Sequence, residues 1–205
     1  MLSTLEPATP DMSPVASSLI HLTMGRLAGY LFGSDAQDAQ SLLGRLFRAE
    51  SNRFSHQFSE VATQSGEVVG LVVTYSGRKL KALGLPTASH LLRACGVAAF
   101  IRFLSRALPL ATVKEAADDE YFISHIAVLP AYQGQGLGTH LLSEVERMAR
   151  ERGFGKISLT VDRENLRALA LYRRTGFAVT EAVSIKPLQR RIGFNGFYRM
   201  VRTLA

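Results

Sequence analysis

Three glycines at alternate positions, Gly134, Gly136 and Gly138, stand between a β-rich run and an apolar-periodic one. Without Cβ atoms, consecutive backbone N–H groups can converge on one anion, and a helix starting there adds the positive end of its dipole. The spacing therefore describes an anion site. It is not a dinucleotide fingerprint, because Thr139 stands where the last glycine of G-x-G-x-x-G would fall, and no Lys-Ser/Thr pair follows to make it a P-loop. Asn165 and Tyr172 sit on a predicted helix at a separation of two turns, which puts them on one face. Asn165 equally suits a helix N-cap. The phenol of Tyr172, with an unperturbed pKa near 10, is neutral at physiological pH and can act as a general acid. His125 titrates in the range of a general base, and Glu120 lies just upstream of it. His21, His56, His90 and His140 show no metal-ligand spacing, so no metal is expected, and neither a nucleophile elbow nor a Ser-His-Asp order is present.

These residues need elements to hold them. A short edge strand over residues 2–6 ends at Pro7. Asp11 or Ser13 offers an N-cap for a helix with Pro14 at its first position and an end near Phe32, and a Gly33-Ser34-Asp35 break leads to a second helix bearing Leu42, Leu43, Leu46 and Phe47. Residues 57–63 and 67–75 read as a hairpin, with Gly70 permitting a bulge or a close backbone approach. A strand over 121–129 precedes the glycine turn. The helix after it carries a stripe of Leu141, Leu142, Val145, Met148 and Ala149 and stops at Gly153. Strands over 156–162, 177–183 and 197–202, with a short helix over 165–174, complete a mixed α/β order. Residues 193–198 either line an acceptor pocket or close the sheet.

The chain of 205 residues, 47% hydrophobic and 20% charged, suits a single domain over residues 1–205. Its least classifiable part is an insert at about 76–118, in which a helix from Pro86 to about Ala107 has apolar residues on nearly all sides. That insert is a candidate for acceptor choice or for contact in a homodimer. Its basic residues are not confined to one face, which argues against a peripheral membrane helix. Residues 91–110 are broken by Arg93, Arg102 and Arg106, so no membrane span is expected. A lone Cys95 and an N-terminus without a signal-like pattern fit the cytoplasm. The net charge of +7 is mostly arginine and is spread along the chain, which suits a phosphate-bearing ligand and does not by itself argue for nucleic acid.

The motifs resemble those of the GCN5-related N-acetyltransferase (GNAT) family. Gln133-Gly134-Gln135-Gly136-Leu137-Gly138 matches its Arg/Gln-x-x-Gly-x-Gly/Ala signature, and Ile126-Ala127-Val128-Leu129-Pro130-Ala131-Tyr132 is similar to the run that precedes it. Asn165, Ala168, Leu171-Tyr172 and Thr175-Gly176-Phe177 look like its second conserved segment, and residues 5–9 and 66–70 are similar to its first strand and second hairpin. The insert is not covered. The resemblance implies an α/β fold with a mostly antiparallel central sheet flanked by helices and splayed between its two central strands. It implies acetyl-coenzyme A as co-substrate, an amine acceptor, and direct attack in a ternary complex. The cofactor-binding residues carried over are Ile126, Ala127, Val128, Gln133, Gly134, Gln135, Gly136, Leu137, Gly138, Thr139, Asn165 and Tyr172, with the Val128 N–H helping to hold the oxyanion and Tyr172 protonating the leaving thiolate. Many family members place a Glu on the strand before the turn, where this chain has Ser124 and His125. The base is therefore open among His125, Glu120, a residue elsewhere and water. That departure also leaves room for a non-catalytic acyl-coenzyme A sensor.

Overall fold

The period-2 segments meet in one sheet. In the computed structural model, which describes residues 5–33, 35–111 and 113–204, the strands are β1 (Leu5–Pro7), β2 (Ser59–Gln64), β3 (Glu67–Ser76), β4 (Tyr121–Val128), β5 (Lys156–Asp162), β6 (Ala178–Val183) and β7 (Phe197–Thr203). Their order across the sheet is β1-β2-β3-β4-β5-β7-β6. Neighbours run antiparallel except β4 and β5, which are parallel. Residues 2–4 of the expected first strand, and Ser34 of the expected break, lie outside the described residues.

The helices are α1 (Ser13–Met24), α2 (Arg26–Phe32), α3 (Ala36–Arg48), α4 (Gly77–Ala82), α5 (Gly84–Ala107), α6 (Leu137–Glu151), α7 (Leu166–Arg174) and α8 (Lys186–Ile192). One face of the sheet is covered by α6 and α7, whose Leu141, Leu142, Val145, Leu169 and Tyr172 pack with Val72, Ile123 and Val128. The stripe expected on α6 is the buried one, and each large apolar side chain buried there contributes roughly 1.5–3 kcal/mol. The opposite face is covered by α1 and α3, through Ala16, Leu19, Ile20, Leu43 and Phe47. Gly70 lies under α6 with its strand neighbours close by: a Cβ there would lie 3.2 Å from Leu141 and 3.3 Å from the Ala127 carbonyl, beside a register shift in the β2–β3 hairpin.

Several expectations are corrected. The single helix up to Phe32 is two, because Gly25 at φ 52°, ψ −130° breaks the ladder between α1 and α2. Neither Asp11 nor Ser13 caps α1. A 3-10 turn at Pro10–Met12 leads into it, and Ser13 is already helical, with its hydroxyl accepting from Arg48. The insert helix begins at Gly84, before Pro86, and Gly96 (φ 78°, ψ 170°) kinks it in the middle. The short α8 between β6 and β7 has too little apolar periodicity to be read from sequence. No helix among the described residues is long and apolar enough to cross a membrane.

Candidate active site

Strand β4 is hydrogen-bonded on both sides for only part of its length. It pairs with β5 at Tyr121↔Ile157, Phe122↔Ser158 and Ile123↔Leu159, and no further. Beyond that point β5 stays with β7 as far as Asp162, while β4 stays with β3 as far as Val128. A gap opens between the two central strands. The β3 register shifts at the same place, from Thr74↔Ile123 to Val73↔His125, so Ser124 is the extra residue of a β-bulge. The extra residue reverses the alternation of the strand. Ile123 before it and Val128 after it both reach the α6 face, while Ala127 joins Phe122 on the α1 face. The Leu129 N–H donates to the Val69 carbonyl at 2.9 Å, so odd positions here face β3, and Ile126 and Val128 direct their backbone groups into the gap. There the Val128 carbonyl accepts from the Gln133 amide at 3.0 Å.

The glycine turn lies at the mouth of this gap. Gly134 (φ 81°) and Gly136 (φ 84°) both need the left-handed conformation that glycine adopts without steric cost, and a Cβ at either would meet nothing within 4 Å. The space above the turn is open. Gly136 is the N-cap of α6, and no side chain caps that helix, so its first N–H groups are directed at this space. Gly138 has a different reason: a Cβ there would sit 3.1 Å from Leu171, so the missing side chain lets α7 approach α6. The side-chain oxygen Oε1 of Gln133 accepts from Arg167 at 2.8 Å, which places a guanidinium beside the turn. Arg167 carries no motif and was legible only as a cation in the first turn of α7. Gln135 is exposed and reaches the Ala131 carbonyl at 3.4 Å, while Leu137 points inward and is buried. Thr139 lines a cleft of about 380 Å³ between α6 and the end of α7, together with Ser143, Glu146, Arg174 and Arg202.

Asn165 and Tyr172 do not have equal standing. Asn165 is the N-cap of α7, its Oδ1 accepting from the Ala168 N–H at 3.1 Å, and it is exposed. Tyr172 is buried against Phe177 in the cluster that holds Val128 and Leu137. Burial pushes its phenol up to about 12.

The two candidate bases lie elsewhere. The bulge turns His125 toward α1, where its Nδ1 is 2.6 Å from the Thr23 hydroxyl and its ring stacks on Phe54. Burial, and then the charge of Arg53, bring its pKa down to about 3. Arg53 is in turn paired with Glu115. Glu120 is buried, and both of its carboxylate oxygens accept from Arg199 of β7 at 2.5 Å. Burial by itself would raise the Glu120 pKa, but the bonds from Arg199 and from the Ala117 N–H outweigh it and hold the carboxyl below its ordinary range. The carboxylate braces the closed end of the β4–β5 pair and is not presented to the open end. Residues 193–198 lead into the closing strand of the sheet and also border a cleft. Asn195 and Tyr198 line a second cleft of about 310 Å³ with Arg163, Glu164, Ser184 and Gln189, while Phe197 begins β7. Arg26 of α2 spans this region, donating to the Gly193 carbonyl at 2.7 Å and pairing with Glu164 at 2.9 Å.

Comparison with known proteins bears on this arrangement. The model of the acetyltransferase (GNAT) family matches residues 30–177. An N-alpha-acetyltransferase RimI of Mycobacterium tuberculosis is 40% identical over 83 residues, 40% of this chain and 49% of that protein. A streptothricin acetyltransferase of Streptomyces lavendulae is 43% identical over 56 residues, 27% of this chain and 30% of that protein. The chain thus spans less than half the length of either curated relative. Among solved structures, an N-acetyltransferase from Staphylococcus aureus Mu50 superposes with a TM-score of 0.75 at 21% identity, covering 97% of this chain and 99% of that one.

Proposed function

The chain belongs to the acetyltransferase (GNAT) family, and from that premise we propose that it transfers the acetyl group of acetyl-coenzyme A to a primary amine by direct attack in a ternary complex. The observation that carries this reading is the half-paired β4, whose backbone groups at Ile126 and Val128 face a gap that ends at an uncapped, glycine-rich helix start. An extended amide-bearing arm can add to such an edge as a further strand. The turn at Gly134–Gly136, with the first N–H groups of α6 and Arg167 beside it, then holds the pyrophosphate.

The division of chemical labour follows from the site. The Val128 N–H, fixed by the strand, donates to the oxygen that becomes negative as the amine adds to the thioester carbon. The N–C bond forms, the C–S bond breaks, and Tyr172 gives its proton to the departing sulfur. A phenol raised to about 12 is protonated at every physiological pH, which suits a donor. His125 is too weak a base at about 3, and the Glu120 carboxylate is held by Arg199. The amine's proton therefore leaves through water.

Incubation with acetyl-coenzyme A and a panel of primary amines tests the reading by thiol release and by mass spectrometry of the amine. Amine-dependent thiol release with an acetylated product is the expected result. Acetyl-coenzyme A binding with no amine-dependent release would make the chain a binder and not an enzyme.

A further inference from the structure

The geometry points to an anionic lipid bilayer as the partner of the outer face of α5. The kink at Gly96 divides this helix, and each half presents its own stripe. In the first half, Leu85 and Leu92 are two turns apart on one side. In the second, Val97, Ile101 and Leu104, with Leu108 just past the helix end, recur at the spacing of a single helical face. All six are exposed, by 37% to 86%. The inner side of the second half is occupied: Phe100 and Phe103 pack with Leu42, Leu46 and Leu91, and Phe103 stacks on Phe32 at 5.5 Å.

Charge decides what covers this face. Helices α4 and α5 contain Arg78, Lys79, Lys81, Arg93, Arg102 and Arg106 and no acidic residue, although Lys81 is paired with Asp118 and Lys79 lies over the Phe58 ring. Arg106, on the inner side, is taken up over the Tyr30 ring. Arg93 and Arg102 are exposed; Arg93 lies about a quarter turn round the helix from Leu85 and Leu92, and Arg102 lies on the polar side of the second half, about 100° from Ile101. Once the kink and the inward Arg106 are known, the exposed cations of α5 are one in each half, Arg93 and Arg102, and neither interrupts its apolar stripe. A helix so built lies in the interfacial plane, with its apolar face among acyl chains and its guanidinium groups reaching the headgroup phosphates. A second copy of the chain is disfavoured, because a two-fold interface would set Arg93 and Arg102 against a surface of the same sign. Nucleic acid would leave the leucine and isoleucine side chains uncovered.

Co-sedimentation of the full chain with vesicles tests the proposal. Binding is expected to vesicles of equal parts phosphatidylcholine and phosphatidylglycerol, to be weak on phosphatidylcholine alone, and to fall in about 0.5 M salt. The double variant Ile101→Asp/Leu104→Asp should lose more than about tenfold in partitioning, and Arg102→Gln about fivefold. A circular-dichroism melt and acetyl-coenzyme A calorimetry on the same variants show that the fold and the donor site are intact. Equal binding to both vesicle types, no binding to either, or variants that bind like the parent overturn the proposal. So does a dimer that dissociates in Ile101→Asp/Leu104→Asp, since the face would then be covered by a second copy.

Discussion

The two halves of β4 face different demands. Residues 121–123 are paired on both sides and locked from below by Glu120 and Arg199. Residues 124–128 keep β3 and lose β5. The first half is ordinary sheet interior, where polar groups are satisfied within the chain. The second half leaves backbone groups directed into a gap, which a soluble sheet tolerates only where water or a ligand meets them. The contrast assigns stability to one half and binding to the other, and substitutions should separate the two.

The largest effect is expected at the closed half. Glu120→Gln leaves Arg199 buried without its counter-charge, and should cost about 3–5 kcal/mol of unfolding free energy, measured by urea denaturation. Because folding lowers the Glu120 pKa, the pair's contribution is present above the ordinary carboxylate range and is lost as pH falls through the folded value. A stability unchanged by Glu120→Gln would erase the division of labour along the strand. At the open half, Gly136→Val forces a branched side chain into φ 84°, and acetyl-coenzyme A affinity should drop on the order of a hundredfold by calorimetry. Unchanged affinity removes the pyrophosphate from this turn. Tyr172→Phe sharpens the contrast further, since it should lower turnover by about tenfold to a hundredfold at unchanged donor affinity. If turnover holds across pH, the phenol is packing alone.

The effect spread over the widest pH range is expected at the bulge. Folding lowers the His125 pKa to about 3, against about 6.5 in the unfolded chain, so the unfolded state takes up the proton first. This contribution to stability is intact above about pH 6.5 and declines as pH falls toward 3, by up to about 1.4 kcal/mol per pH unit. Chemical denaturation of the parent and of His125→Gln at a series of pH values should show the slope between about pH 6.5 and the carboxylate range only in the parent. A neutral-range slope in turnover that vanishes in His125→Gln would instead restore the imidazole as base.

What could be read from the sequence was whatever leaves a local mark. Gly134 and Gly136, the α6 stripe and the strand Ile157-Leu159-Val161 all declare themselves within a dozen residues, because periodicity and positive φ are properties of short segments. The mostly antiparallel sheet was instead what the family resemblance of these motifs implied, and the strand pairing agrees with it. The bulge at Ser124 has no composition of its own and exists only because β3 and β4 must stay paired on either side of it. Glu120 looked available as a base because its partner Arg199 is remote in sequence. Gly96 sits inside a helical pattern that continues past it, so the kink, and with it the separation of the two stripes, could not be seen. Asn165 was open between cap and ligand contact, and the cap is present.

The bulge has one more consequence, for how this strand can vary. A single added residue sets which side chains face α6 and which face α1 for the rest of β4, much as a frameshift resets a reading frame. Ser124 itself is only partly buried, and its place in the strand is set by the backbone register. Losing the position would exchange the environments of every residue from His125 to Val128. Strand length is therefore under tighter constraint than side-chain identity at Ser124, and insertions or deletions between Tyr121 and Val128 are the changes this scaffold is least able to absorb.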